Sequence, residues 1–182
     1  MSEKYNANPN ELAISADRPH CSRYYLARGF INPDERVIDA GCGSGYGAFI
    51  LGVVAKEVLG IDKDDIFAKV WRRDNINFMV SDLEEMIEYP EADVYVALEV
   101  IEHLKDPLNF LNKITDACFK KIIISSPNKE TAGLNPFHLS NVLLVQLRKL
   151  MNNFSDWIEY HSFLQGDYYI VIYVKKGTIL TK

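Results

Sequence analysis

The sequence predicts a doubly wound α/β fold, a mostly parallel seven-stranded sheet closed by a C-terminal antiparallel hairpin. Three observations carry that expectation. Short apolar runs alternate with helical segments along most of the chain. One such run, Val37-Ile38-Asp39, opens directly into glycines at 41, 43, 45 and 47. The chain then finishes on two β-rich runs joined by a link too short for a parallel crossover.

Taken in order, a helix is expected from Pro19, a residue favoured at the first helical position, to Gly29, a favoured stop residue. Five apolar strands follow at Arg36 to Asp39, Val58 to Asp62, Ile76 to Val80, Val94 to Leu98 and Lys121 to Ser125. The run Ile122-Ile123-Ile124 does not alternate, which suits a parallel strand covered on both faces. Asp106-Pro107 reads as an N-cap followed by proline at N1, leading into Leu108, Leu111, Ile114 and Cys118 at helical spacing. A further helix is expected after Ser140, carrying Leu143, Leu147, Leu150 and Met151 as a core stripe. Trp157 to Phe163 and Tyr168 to Val174 are the hairpin strands, linked by residues 164–167.

At 182 residues the chain is expected to form one domain over 1–182, with a polar arm over 1–17 and a flexible tail over 177–182. A net charge of −5 supplies no basic footprint for a long nucleic acid, and the Arg72-Arg73, Lys120-Lys121 and Lys175-Lys176 pairs are isolated. Cys21, Cys42 and Cys118 lie far apart without a CxxC pair, the pattern of free thiols in a reducing compartment. The polar N-terminus has no apolar core and no run approaches the ~20 residues that span a bilayer. A cytoplasmic protein without membrane association is expected. Its oligomeric state is not legible.

The glycine run lets a ligand lie against bare backbone and aims a helix N-terminus at it. A second acid, Asp62, ends the next apolar strand, close to the ~20-residue offset at which a carboxylate reaches a ribose. Together they point to an adenosine-containing cofactor. Each acid also has a plainer reading: Asp39 as a cap, Asp62 as a strand-end turn residue. Tyr46 and Cys42 can be packing residues.

VIDAGCGSGYG (37–47), GIDK around Asp62, VSDLEE (80–85) and ALEVIEHLKDP (97–107) together resemble the class I S-adenosylmethionine-dependent methyltransferases, in order and spacing. RPHCSRYYLA (18–27), SSPNKE and NPFHLS resemble the small-molecule branch, which includes sugar, natural-product and ubiquinone-pathway enzymes. The resemblance implies a Rossmann-like methyltransferase fold and S-adenosylmethionine as cofactor. It implies that Asp39, Gly41, Cys42, Gly43 and Gly45 line the methionine and ribose end. Asp62 would accept the ribose hydroxyls beside Lys63, and Ser81, Asp82 and Leu83 would hold the adenine. Leu98 and Glu99 would face the reaction centre. Arg23 and Tyr24 are candidates for the cofactor carboxylate or sulfonium, beside the reading that they only pack a helix on the sheet.

Glu99, Glu102 and His103 stand at i, i+3 and i+4, which places them on one face if the segment is helical. His138 would arrive from the loop after the fifth strand. Two carboxylates and two imidazoles can hold Mg²⁺, Mn²⁺ or Zn²⁺. The pattern resembles a subset of O-methyltransferases with a Glu-x-x-Glu-His motif and a later histidine as metal ligands. Those are the ubiquinone-pathway enzymes and the small-RNA 3′-terminal 2′-O-methyltransferases. Without metal, His103 or His138 would serve as general base, since an imidazole titrates near pH 6.5.

The resulting expectation is methyl transfer from S-adenosylmethionine to an oxygen of a small-molecule acceptor, with Glu99, His103 and His138 as the catalytic candidates. An NAD-dependent oxidoreductase is the first alternative, although the third glycine of a dinucleotide fingerprint starting at Gly41 falls on Tyr46. A catalytically silent cofactor-binding module is the second. Methylation of an RNA terminus is disfavoured by the acidic balance.

Overall fold

The computed structural model describes residues 19–64, 73–131 and 133–179. Along the chain lie α1 (Pro19–Arg28), β1 (Arg36–Ala40), α2 (Tyr46–Leu51), β2 (Glu57–Asp62), β3 (Ile76–Val80) and β4 (Ala92–Leu98). A 3₁₀ turn (Ile101–His103), α3 (Pro107–Ala117), β5 (Cys118–Pro127), α4 (Leu144–Met151), β6 (Trp157–Gln165) and β7 (Tyr168–Lys175) follow. The strands join into one sheet in the order β3-β2-β1-β4-β5-β7-β6. All neighbours are parallel except β7, which runs antiparallel to β5 and β6. The chain winds outward from β1 in one direction and returns to β4 to wind in the other, so the crevice between β1 and β4 is the switch point. Ligands of such sheets sit there, beyond the carboxyl ends of the strands.

Successive side chains of a strand leave by opposite faces, and the central strands feed two separate cores in that way. Ile38, Tyr95, Ile122 and Ile124 pack against α3 and α4 through Phe110, Leu111, Ile114, Leu147 and Met151. Val37, Val94, Val96 and Ile123 pack on the other face against α1 and α2, through Tyr24, Ala27, Ile50 and Leu51. A buried ion pair ties the exit of α1 to the middle of the sheet. Lys121 Nζ reaches Glu35 Oε2 at 2.6 Å and the Phe30 carbonyl at 2.7 Å. That anchor helps hold α1, and with it Arg23 and Tyr24, over the switch point.

The strand and helix expectations hold in type and order, with differences at the ends. β5 runs seven residues' pairing with β7, from Lys121 opposite Val174 to Pro127 opposite Tyr168, because the reversed strand keeps supplying partners beyond Ser125. Cys118 is not the last helical position but the first of β5: its backbone is extended, and it pairs with Ala92. Leu108 is 38% exposed, so the buried stripe of α3 starts at Phe110. The four-residue link of the hairpin tightens to Gly166-Asp167, with Gly166 at φ 58°. The N-terminal arm over 1–17 and residues 180–182 of the expected tail lie outside the described residues. Thr178 is turned back, its N–H donating to the Lys175 carbonyl. No described helix is long and apolar enough to cross a membrane.

Candidate active site

One cavity of about 1340 Å³ opens over the switch point, and its two ends are built differently. The end beyond β1 and β2 is made largely of backbone. Asp62 lies at the tip of β2, where its Oδ2 accepts the Gly43 N–H at 2.8 Å and its Oδ1 accepts the Asp64 N–H at 3.1 Å. Gly43 has φ 55°, and a Cβ added there would meet no atom within 4 Å. The loop thus holds a left-handed backbone against open space, the geometry a ligand pressed on glycine needs. Gly47 is a glycine for a different reason: a Cβ would stand 2.1 Å from the ring of Tyr24. That close approach brings the Tyr24 hydroxyl to 3.0 Å from Asp39 Oδ1. Asp39 is fully buried, and burial pushes its carboxyl up to about 7 against the opposing pull of the Tyr24 hydrogen bond.

The end beyond β4 and β5 is made of side chains from several segments. The chain leaves β4 through Glu99, whose φ of 57° is the one positive value on a non-glycine among the described residues. Ser125, near the end of β5, holds it through its hydroxyl, which donates to Glu99 Oε1 at 2.7 Å and shares the Glu99 N–H with the Ser125 carbonyl, each at 3.1 Å. Arg23 reaches in from α1, with Nε 3.6 Å from Glu99 Oε1 and its guanidinium 4.4 Å over the ring of Tyr168. It is 1% exposed, and Nε and Nη1 have no hydrogen-bond partner.

Next to it the 3₁₀ turn presents Glu102, 1% exposed and with neither carboxylate oxygen partnered. Burial first, and the neighbouring Glu99 second, hold its carboxyl well above the usual range. His103 and His138 meet edge to face with ring centroids 4.8 Å apart. His103 Nδ1 is 2.8 Å from the Phe137 carbonyl. A carbonyl only accepts, so Nδ1 carries the proton and the neutral ring keeps its lone pair on Nε2. His138 Nδ1 is 2.6 Å from Thr131 Oγ1. One ligating atom each from Glu102, His103 and His138 fall within 4.8 Å of one another.

Most residues anticipated from sequence therefore converge. Gly41, Cys42, Gly43, Asp62, Lys63, Asp82, Leu83, Leu98, Glu99, Glu102, His103 and His138 line the cavity. Asp39, Gly45 and Ser81 do not. Asp39 stands behind the glycine loop facing Tyr24, Gly45 is the left-handed residue that opens α2, and Ser81 spends its N–H on the Asp62 carbonyl. Glu99 does not share a helical face with Glu102 and His103. The strand ends at Leu98 and the left-handed turn at Glu99 breaks the i, i+3, i+4 geometry, leaving the close cluster with three members. Sequence reasoning missed Ser125, Thr131 and the Phe137 carbonyl, whose parts rest on contacts across the sheet.

The family described as "Methyltransferase domain" matches residues 38–119, which span β1 to the start of β5 and the glycine loop between. Over residues 38–119 the chain matches a methyltransferase domain. A probable S-adenosylmethionine-dependent methyltransferase of Mycolicibacterium smegmatis is 34% identical over 131 residues, 63% of this chain and 49% of that protein. A tRNA U34 carboxymethyltransferase of Alteromonas mediterranea is 33% identical over 95 residues, 45% of this chain and 29% of its own. The chain thus spans about half the length of the first of these relatives and less of the second. Among solved structures, the N-methyltransferase NodS of Bradyrhizobium japonicum, in complex with S-adenosylhomocysteine, superposes with a TM-score of 0.68 at 14% identity, over 94% of this chain and 90% of that one. Magnesium protoporphyrin IX methyltransferase of Synechocystis, also with S-adenosylhomocysteine bound, gives 0.66 at 17% identity over 97% and 90%. The chain thus shares its fold with both.

Proposed function

We propose that this methyltransferase domain binds S-adenosylmethionine at the glycine end of the cavity and directs its methyl to an oxygen of a small-molecule acceptor at the other end. The observation that carries the reading is Glu102, a buried carboxyl without a partner, set beside two imidazoles in the same cavity as an open glycine loop. The residues fit the cofactor. Asp62 stands at the tip of β2 and holds the loop through the Gly43 and Asp64 N–H groups, which places its carboxylate to accept the ribose hydroxyls. Asp82 and Leu83 would receive the adenine. The orphaned N–H groups of Arg23 suit the carboxylate of the methionine portion, and Glu99 suits its ammonium.

When bound, the cofactor supplies an activated methyl on a sulfonium that departs as a neutral thioether. The protein's work is alignment and removal of one proton from the acceptor oxygen. His103 Nε2, with its lone pair set by the Phe137 carbonyl, would take that proton. An imidazolium at His103 would draw the raised Glu102 carboxyl toward its charged form, which releases its proton to solvent, and the carboxylate would then stabilise the cation.

A second reading adds a divalent cation. Glu102, His103 and His138 would hold it, and both histidines have Nδ1 oriented by an outer partner, as metal ligands commonly do. Mg²⁺, Mn²⁺ or Zn²⁺ there would lower the pKa of the acceptor hydroxyl. Glu99 would not be a ligand, because Ser125 and Arg23 engage its carboxylate.

Calorimetry with S-adenosylhomocysteine and with NADH tests the cofactor. Tight binding of the first and none of the second is expected, and the reverse would sink the assignment. Transfer of radiolabelled methyl to a panel of catechols, with and without chelator, tests the chemistry. Incorporation that survives chelation retires the metal reading and leaves the general base.

A further inference from the structure

The acceptor end of the cavity has a wall whose apolar side chains neither the cofactor nor the proton transfer uses. It is the loop Gly133 to Leu139, which has no charged residue. Pro136, Phe137 and Leu139 line the cavity beside His103 and His138. Leu139 is 54% exposed and Phe137 37%, while Leu134, earlier in the same loop, is 84% exposed. These side chains are not displayed by a loose loop. The Leu139 and Ser140 N–H groups donate to the Glu102 carbonyl at 2.8 and 3.1 Å, and the Phe137 carbonyl is held by His103. The turn that carries the reactive groups therefore also fixes the apolar rim next to them. Contiguous exposed apolar surface held in one place commonly marks a binding face.

Charge points the same way. Of the six acidic residues that line the cavity, Asp62, Asp64, Asp82 and Glu84 stand at the glycine end, while at the acceptor end Glu99 and Glu102 stand against one arginine, which faces Glu99. Such an end offers no cationic surface for a polyanion. The cavity, at about 1340 Å³, also exceeds the ~300–1,000 Å³ usual for one small ligand, which leaves space for an acceptor beside a cofactor.

We infer that the acceptor is a neutral molecule in which the reacting hydroxyl is attached to an apolar body, and that Phe137, Leu139 and Leu134 grip that body. The inference rests on the methyltransferase reading and adds the acceptor class to it. Methyl gallate and octyl gallate are suitable probes, since they share one hydroxylated ring and differ only in alkyl length. Their binding to the full chain is measured by calorimetry in saturating S-adenosylhomocysteine, so the outcome does not require turnover. Octyl gallate should bind about tenfold or more tightly than methyl gallate. The double variant Leu134→Asp/Leu139→Asp should erase that difference while leaving S-adenosylhomocysteine affinity within about twofold, because neither side chain lies at the glycine end.

Equal affinities for the two gallates would overturn the inference, as would a chain-length gain that survives in the double variant. Displacement of the gallates by a short RNA hairpin would overturn it in favour of a nucleic-acid acceptor. The two levels fail separately. Loss of S-adenosylhomocysteine binding by the unmodified chain counts against the cofactor assignment, whereas intact binding with a flat alkyl series counts only against the apolar acceptor.

Discussion

The two ends of the cavity solve the same problem, holding a polar ligand in a partly dry site, by opposite means. The glycine end offers backbone N–H groups and strand-end carboxylates whose bonds to the loop are already made, as Asp62 shows with Gly43 and Asp64. The acceptor end holds two buried side chains, Arg23 and Glu102, with polar atoms that have no hydrogen-bond partner. Eight buried side-chain polar atoms lack a partner among the described residues, and four of them belong to Arg23 and Glu102. An unsatisfied buried charge costs stability and persists where function requires it. The contrast separates a site that is preformed without its ligand from one that gains its partners only when loaded.

Glu102 is the place to break that contrast hardest. Glu102→Gln keeps the shape and removes the titratable group, so methyl transfer should fall by about 10²–10⁴-fold, the usual range for a lost acid–base partner. S-adenosylhomocysteine affinity should stay within about twofold. The variant should also be no less stable than the parent to urea, since it loses no hydrogen bond and sheds a buried ionisable group. A strongly destabilised Gln variant would mean that the carboxyl is structural and the acceptor end is not poised for anything.

Asp39 tests the glycine end in the same terms. Its folded carboxyl is raised to about 7 from the ordinary 3.8, so between those values the folded state holds a proton that the unfolded chain has released. Its contribution therefore favours folding at low pH and is lost as pH rises from about 4 through about 7. At about 1.4 kcal/mol per unit, a shift of roughly three units sets a ceiling near 4 kcal/mol. Asp39→Asn should remove this slope, and its stability relative to the parent should climb through that window and level off above pH 7. Urea titrations at a series of pH values read the difference. A constant offset would show that the carboxyl is ionised throughout.

Asp62→Ala should weaken S-adenosylhomocysteine binding by about 10²-fold, since each hydrogen bond to a charged acceptor is worth about 1.5–3 kcal/mol before water recovers part of it. The Gly43 and Asp64 N–H groups lose their partner as well, so part of that loss is the loop's own order. Calorimetry of the variant that found parent-like affinity would place the ribose elsewhere.

What the sequence made legible divides along the same line. The glycine end announces itself because its signals are local: the glycine spacing, Asp62 at the close of β2 and Asp82 after β3 all sit within a few residues of the strand end they serve. Asp106 was readable for the same reason, and its side chain does accept the Asn109 N–H at 2.9 Å. The acceptor end depends on strand register and long loops. Arg23 meets Tyr168 from the far hairpin, His103 meets Phe137, and Ser125 meets Glu99 only because β4 and β5 pair with Leu98 opposite Ser125. The left-handed turn at Glu99 has no sequence signature in a glutamate, so the helical spacing of EVIEHL pointed to a four-membered cluster where three members meet.

Ser125 is where this hidden part of the site can be weighed. A glutamate at positive φ costs about 1–3 kcal/mol and persists only where its surroundings hold it. Here one hydroxyl meets both the backbone N–H and the carboxylate of that residue. Ser125→Ala should lower stability by about 1 kcal/mol, the net worth of a hydrogen bond. It should also weaken S-adenosylhomocysteine binding about fivefold, if Glu99 receives the ammonium as proposed. Adding Glu99→Gly to that variant separates the two effects. Glycine accepts the left-handed backbone, so stability should recover. Affinity should not, because the carboxylate is gone. Recovery of both would show that the serine serves only the strained backbone, while recovery of neither would mean that the strain at Glu99 is not what Ser125 offsets.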